Sequence, residues 1–160
     1  DFGRGLIKVL EKFNALGKKF YVIPGNHEEG EGFERAVKRF PNCINFDRKD
    51  LVIEDYVFLG YGTGGFSLQD KDFRKIARKW YGKYKGRKII LVTHQAPYGN
   101  KIDKLETGHV GNKDFTRFIT RIKPKLAICG HLHETAGLID NIGPTKLIHP
   151  GWEGMVVELN

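Results

Sequence analysis

Four side chains with lone pairs suited to a transition metal follow three apolar runs in this chain. Asn26 stands in Pro24-Gly25-Asn26-His27-Glu28 after "KFYVI", His94 follows "KIILV" and Thr93, and His131 and His133 lie in "GHLH" after "KLAIC". Imidazole nitrogens and an amide oxygen suit Mn, Fe, Zn, Ni or Co, and such ions act as Lewis acids and activate water. Each residue alone has a plainer reading. His94 could be a hydrogen-bonded, half-buried histidine, Asn26 a turn residue after glycine, and His131 and His133 ordinary loop residues. Four metal-capable side chains at three equivalent strand ends point instead to one shared metal site. A structural zinc fits less well, because such sites recruit cysteine and close all four positions.

The elements that must position these residues are legible in outline. Leu6, Val9, Leu10, Phe13 and Leu16 form a helical stripe that stops at Gly17. "KFYVI" reads as a strand buried on both faces, and a short helix spans Phe33 to Phe40 before Pro41. "LVIEDYVFLGYG" reads as two strands joined by a tight acidic turn, and "KIILV" and "KLAIC" as further strands. Between them Phe73, Ile76, Ala77, Trp80, Tyr81 and Tyr84 mark one helix, and Asn112 caps another carrying Phe115, Phe118, Ile119 and Ile122. The tail from Ala136 to Leu159 reads as three short strands. In open α/β sheets the carboxyl ends of parallel strands gather at one edge, so Asn26, His94, His131 and His133 are expected to converge there. The expected fold is α/β, a single layered domain over residues 1–160 whose sheet is partly parallel and partly antiparallel, with helices on its outer faces.

"GNHE", the later strand-borne His94 with Thr93 before it, and "GHLH" resemble three of the five signature blocks of the calcineurin-like metallophosphoesterases, in the same order, over about Tyr21 to Gly151. The resemblance implies a β-sandwich with mixed sheets flanked by helices, and hydrolysis of phosphoesters at a dinuclear centre. It implies that Asn26, His94 and His131 bind one divalent ion, that His133 helps bind the second, and that His27 is the catalytic histidine beside the leaving group. Glu28 then orients His27. The sequence does not choose among Mn, Fe, Zn, Ni and Co.

The family's Asp-x-His and Gly-Asp-x-x-Asp blocks are absent. Asn26, His94, His131 and His133 are all neutral as ligands, so two divalent ions held close together need a carboxylate to offset their repulsion. "DFGRG" resembles the tail of the second block. On that reading Asp1 is its trailing aspartate, the bridging residue lies upstream, and the first strands are missing from this chain; alternatively Asp1 is itself the bridging ligand. Further candidates are His109, ahead of a helix start where backbone N–H groups favour anions, and His149, where related proteins place an Asn-Pro-Gly turn. Trp152 and Tyr98 are expected to pack in the core or at a rim. "GTGG" at residues 62–65 is no phosphate loop, since no lysine-serine pair follows it.

A chain of 160 residues, 40% hydrophobic and 29% charged, has the profile of a globular protein rather than a disordered or fibrous one. Nothing approaches a membrane span or a signal-peptide core, so a cytoplasmic protein is expected. Two cysteines build no disulfide framework, and Cys129 reads as a buried small hydrophobe. From Lys71 to Lys88 nine Lys and Arg face one acid, Asp72, which by itself accounts for the formal net charge of +8. That run is either a solvated helix face or a rim that attracts a phosphoester substrate or nucleic acid. A metal-dependent phosphodiesterase or phosphatase is the expected function. The rival is a non-catalytic module on the same scaffold with a degenerate metal site, binding protein or nucleic acid.

Overall fold

In the computed structural model, which describes residues 5–28 and 31–159, the helical stripe near the N-terminus becomes α1 (Leu6–Ala15). Gly17 follows with φ +65°, the left-handed conformation that ends a helix at little cost for glycine. Leu10 of α1 packs with Phe33, Ala36 and Val37 of α2 (Glu31–Lys38) and with Cys43. This small core lies against a parallel pair, β1 (Phe20–Val22) and β2 (Cys43–Asn45). The expectation that "KFYVI" is buried on both faces is not met. β1 has three residues and Tyr21 is 41% exposed, because among the described residues the strand pairs only with β2 and the Tyr21 ring meets only the Phe46 ring, at 5.7 Å between centroids.

The main sheet has six strands in the order β3-β4-β5-β8-β10-β9. β3 (Lys49–Ile53) and β4 (Tyr56–Tyr61) form the expected hairpin through Glu54-Asp55. β4, β5 (Lys88–Thr93), β8 (Leu126–Ile128) and β10 (Thr145–Ile148) are mutually parallel, and β9 (Ile139–Ile142) closes the far edge antiparallel to β10. One sheet face carries Val57, Leu59, Ile89, Leu91, Ala127 and Leu147, all buried under α3 (Lys71–Tyr84) and α4 (Lys113–Ile122). Phe73 of α3 is the centre of that core, with ring centroids 4.4 Å from Phe115, 5.0 Å from Tyr61 and 5.5 Å from Phe118. Full burial of such a ring contributes about 1.5–3 kcal/mol.

Both long helices are capped as their sequences indicate. Asp70 Oδ1 accepts the backbone N–H groups of Asp72 and Phe73, and Asn112 Oδ1 accepts those of Asp114 and Phe115. Between β5 and α4 a loop carries the two-residue hairpin β6 (Lys104–Leu105) and β7 (Gly108–His109). No described helix is long and apolar enough to cross a membrane.

The tail departs from expectation. It supplies two strands, β9 and β10, not three, and the described residues after Ile148 form none. β10 already has a neighbour on each side, and Gly151 (φ +68°) and Gly154 (φ +79°) turn the chain away from it. Trp152, expected to pack, is 90% exposed on this segment.

Candidate metal centre

β5 and β8 are parallel neighbours, with Val92 opposite Ile128, so His94 and the "GHLH" loop leave the sheet at one edge. Gly130 N donates to the His94 carbonyl at 2.9 Å and locks the two exits together. β1 delivers Asn26 to the same edge from the small sheet. The join is tight: Thr63 N donates to Pro24 O at 2.9 Å, and a Cβ on Gly62 would lie 2.4 Å from Pro24 Cδ. Gly62→Ala therefore forces the Pro24–Asn26 turn off the β4 exit. Its expected cost is about 1–3 kcal/mol of stability, read by thermal unfolding.

His131 occupies an unusual backbone position. Its φ is +74°, and Leu132 N donates to Gly130 O at 3.0 Å, which makes His131 the centre of a γ-turn of the rare positive-φ kind. Holding a non-glycine residue there costs about 1–3 kcal/mol, a strain typical of places where a side chain must be aimed. The ring is aimed at His94. Nε2 of His94 lies 2.9 Å from Asn26 Oδ1 and 3.1 Å from His131 Nδ1. Three of the expected ligands thus meet at one point.

Burial, and then the neighbouring His131, depress the His94 pKa to about 4; Glu28 opposes part of this. His131 is lowered by burial first and by His133 and His27 next. Both rings are therefore neutral near pH 7 and offer lone pairs. Among the described residues, a proton on His94 Nε2 points along only one of these two lines, toward Asn26 Oδ1 or toward His131 Nδ1. Nε2 of His131 is buried with no hydrogen-bond partner among the described residues. A small cation resolves the crowding. Ligands held 2.0–2.1 Å from a tetrahedral ion sit about 3.3 Å from one another, close to the separations found. The donor set fits one divalent ion. It is a neutral set, and among the described residues no three His, Cys, Asp or Glu side chains gather as a metal site.

The other expected residues are placed as follows. His133 is exposed and opens a short 3-10 turn, His133–Thr135, close enough to His131 for its charge to act there. His27 is exposed beside Asn26 and acts on both His94 and His131. Glu28 is buried, and its carboxylate accepts Gly25 N at 3.0 Å, which closes the turn carrying Asn26. His149 is buried, with Nδ1 accepting Gly151 N at 3.1 Å and Nε2 unpartnered among the described residues. His109 reaches back instead: its Nδ1 lies 2.9 Å from Asp103 Oδ1. Asp1 lies outside the described residues.

Three features of the site are not apparent in the sequence. Phe66 lies edge-on to His131 at 4.7 Å between ring centroids and is 61% exposed, forming a wall. Thr63, Gly64 and Gly65 all have positive φ, so the "GTGG" loop folds back until a Cβ on Gly65 would sit 3.5 Å from Asn26 Cβ. Gln95, next to His94, donates to the carbonyls of Ser67 and Val110 and ties the surrounding loops together. Only the glycine pair hinted at this loop.

Burial lowers the pKa of His149 as well, so three histidines resist protonation in the folded state. The unfolded chain takes up protons at ordinary histidine pKa values near 6.5. Stability is thus fully present above about pH 6.5 and falls as pH drops toward 4, His94 alone accounting for about 2–3 kcal/mol. Denaturant unfolding of metal-free protein across that window checks the expectation.

The profile of the family described as "Calcineurin-like phosphoesterase" matches residues 2–135. The chain is 25% identical over 141 residues to "Probable glycerophosphodiester phosphodiesterase GpdQ" of Arcobacter nitrofigilis, covering 82% of this chain and 51% of that protein. It is 26% identical over 164 residues to "UPF0046 protein K07C11.7" of Caenorhabditis elegans, covering 90% of this chain and 56% of that one. The chain therefore spans about half the length of these two relatives. Its fold is similar to that of TT1561 of Thermus thermophilus, with a TM-score of 0.71 over 94% of this chain and 71% of that chain at 14% identity. With a profile match over most of its length, the chain belongs to the calcineurin-like phosphoesterase family.

Proposed function

We propose that the protein is a metal-dependent phosphoesterase with a dinuclear centre, acting on phosphodiesters or phosphomonoesters. The observation that carries this reading is that Asn26 Oδ1 and His131 Nδ1 each lie within 3.1 Å of His94 Nε2 in a chain of this family. These three residues would hold one ion and His133 would contribute to a second. Divalent ions, when bound, supply charge neutralisation at phosphate and activation of water. The chain's own part is positional. His27, exposed beside Asn26, contacts a phosphate oxygen and gives a proton to the departing alkoxide. Glu28 fixes the turn that places both residues, through its bond to Gly25 N. Phe66 walls one side of the opening and limits the approach of bulk water to His131.

The name of the Arcobacter relative favours diesters. Hydrolysis of bis(p-nitrophenyl) phosphate and p-nitrophenyl phosphate with added Mn, Fe, Zn, Ni or Co tests the proposal. Turnover of the diester is expected with at least one metal, and no turnover of either ester with any metal overturns it. The reading as a non-catalytic module has one observation in its favour: among the described residues no carboxylate joins the three convergent ligands. Calorimetric metal binding without turnover would select that alternative.

A further inference from the structure

α3 and α4 carry an arginine arrangement that repeats after one helical turn, with its acid present in the first copy and absent from the second. The two helices begin where Asp70 N donates to Asp114 Oδ2 at 2.8 Å, and their last turns meet where the Arg121 guanidinium lies 4.1 Å from the Tyr81 ring centroid. They therefore run parallel. In the first copy Arg74 of α3 and Arg117 of α4 share one carboxylate. Asp114, 3% exposed, lies 3.0 Å from Arg74 through Oδ2 and 3.3 Å from Arg117 through Oδ1. Four residues further along each helix, about 6 Å of rise, stand Arg78 and Arg121. Parallel axes keep such a pair opposite one another. A second observation places them together: Arg78 and Tyr81 are spaced i, i+3 on one face of α3, and Tyr81 is the ring on which Arg121 lies. All four arginines line one cavity of about 430 Å³. The position that would supply the second acid, four on from Asp114, is Phe118. Among the described residues no carboxylate stands within ion-pair distance of Arg78 or Arg121.

We infer that Arg78 and Arg121 bind the phosphate group of a small anion, in a site that shares no residue with the candidate metal centre. Asp114 shows what the arrangement accepts, an oxyanion that bridges two guanidiniums across the helices. Charge decides which oxyanion. A carboxylate neutralises only one of the two cations, whereas a phosphate group carries about 1.5–2 negative charges near pH 7 and has oxygens for both arginine forks. Stacking on the Tyr81 ring occupies the face of the Arg121 guanidinium and leaves its N–H edge for an anion, already oriented. A polynucleotide finds no ring to stack on. Phe73 and Phe118 beneath the arginines are 0% and 5% exposed, and Tyr81 has both Arg121 and Lys85 over its ring.

The test titrates ¹⁵N-labelled protein with sodium phosphate, glycerol phosphate, sodium acetate and a thymidine oligonucleotide at matched ionic strength, following arginine Nε–Hε and backbone amide signals. At least one of the two phosphates is expected to shift Arg78 and Arg121 saturably, the tighter one identifying free or esterified phosphate as the ligand. Acetate should bind at least about tenfold more weakly. These signals report the arginine pair itself, so phosphate held at a metal ion elsewhere does not imitate the result. Arg78→Gln with Arg121→Gln, both exposed positions, should weaken phosphate binding at least about tenfold, while Lys75→Gln, exposed on α3 outside the cavity lining, should change it by less than about twofold. Arg78→Lys with Arg121→Lys keeps the charge and loses the forks, and should cost at least about threefold. Parental affinity in the lysine variant, acetate binding as tight as phosphate, saturable shifts with the oligonucleotide alone, or no saturable shift with either phosphate would each overturn the inference. Retained amide dispersion shows that the variants are folded.

Discussion

If the proposed metal-dependent phosphodiester hydrolysis is this chain's activity, His94→Ala is expected to lower it about a thousandfold or more while leaving the protein folded. His94 is the shared vertex of the candidate centre, since its Nε2 faces both Asn26 Oδ1 and His131 Nδ1. Removing it leaves two ligands with no common neighbour. Three powers of ten correspond to about 4 kcal/mol, within the several kcal/mol that a positioned divalent ion contributes to a charged transition state. Stability should respond differently. A histidine whose pKa burial has driven to about 4 is poorly accommodated as a cation, and alanine removes that penalty. Unfolding of the metal-free variant near pH 5 should therefore show little loss or a gain, while calorimetry shows the ion lost. A fall in stability as large as the fall in rate would mean that His94 is structural and that the proposed centre is wrong.

The largest stability effect is expected at a residue outside the set of candidate metal ligands. Asp103 is 0% exposed, and its carboxylate accepts backbone N–H groups from Gly99, Asn100 and Gly111 at 2.8–3.1 Å as well as facing His109 Nδ1. One side chain thus organises both ends of the loop between β5 and α4. Asp103→Ala leaves the buried N–H groups of Asn100 and Gly111 without an acceptor, each costing about 1–3 kcal/mol before relaxation, while the exposed Gly99 N–H can turn to water. The expected loss is about 4 kcal/mol, or roughly 8–16 °C in the unfolding midpoint for a domain of this size. Asp103→Asn should recover no more than about half, since its amide nitrogen confronts donors. Calorimetric scans of the two variants decide. A midpoint within about 2 °C of the parent would show that water replaces the carboxylate and that the loop is held from elsewhere.

The strand ends were readable from sequence because a buried strand must be apolar while the residues just after it need not be. "KIILV" and "KLAIC" led directly to His94 and His131, and the caps Asp70 and Asn112 follow the same local logic. What escaped depends on segments far apart in sequence. Nothing local distinguishes Asp103 from any loop aspartate, because its partners are supplied by a turn that forms only in the fold. Phe66 reads as a stray apolar residue until β4 carries it against His131. The basic run from Lys71 gave the correct helix, but only α4 converts Arg74 and Arg78 into one wall of a cavity. Tyr21 and Trp152 were misjudged in the opposite direction: an apolar or aromatic type reports a preference for burial, and exposure depends on whether a neighbour arrives.

Asn26 and the two convergent histidines ride on separate foundations. Asn26 follows the small β1–β2 pair with its own cluster around Leu10 and Phe33, whereas His94 and His131 leave the six-stranded sheet above the core centred on Phe73. A cation seated among them is consequently a staple across two semi-independent cores. Its dissociation would leave the β1–β2 unit joined to β4 through Thr63 and Pro24 on this side, and that unit would loosen before the remainder. If the centre binds a cation, its occupancy and the cohesion of that unit would be one equilibrium seen from two sides.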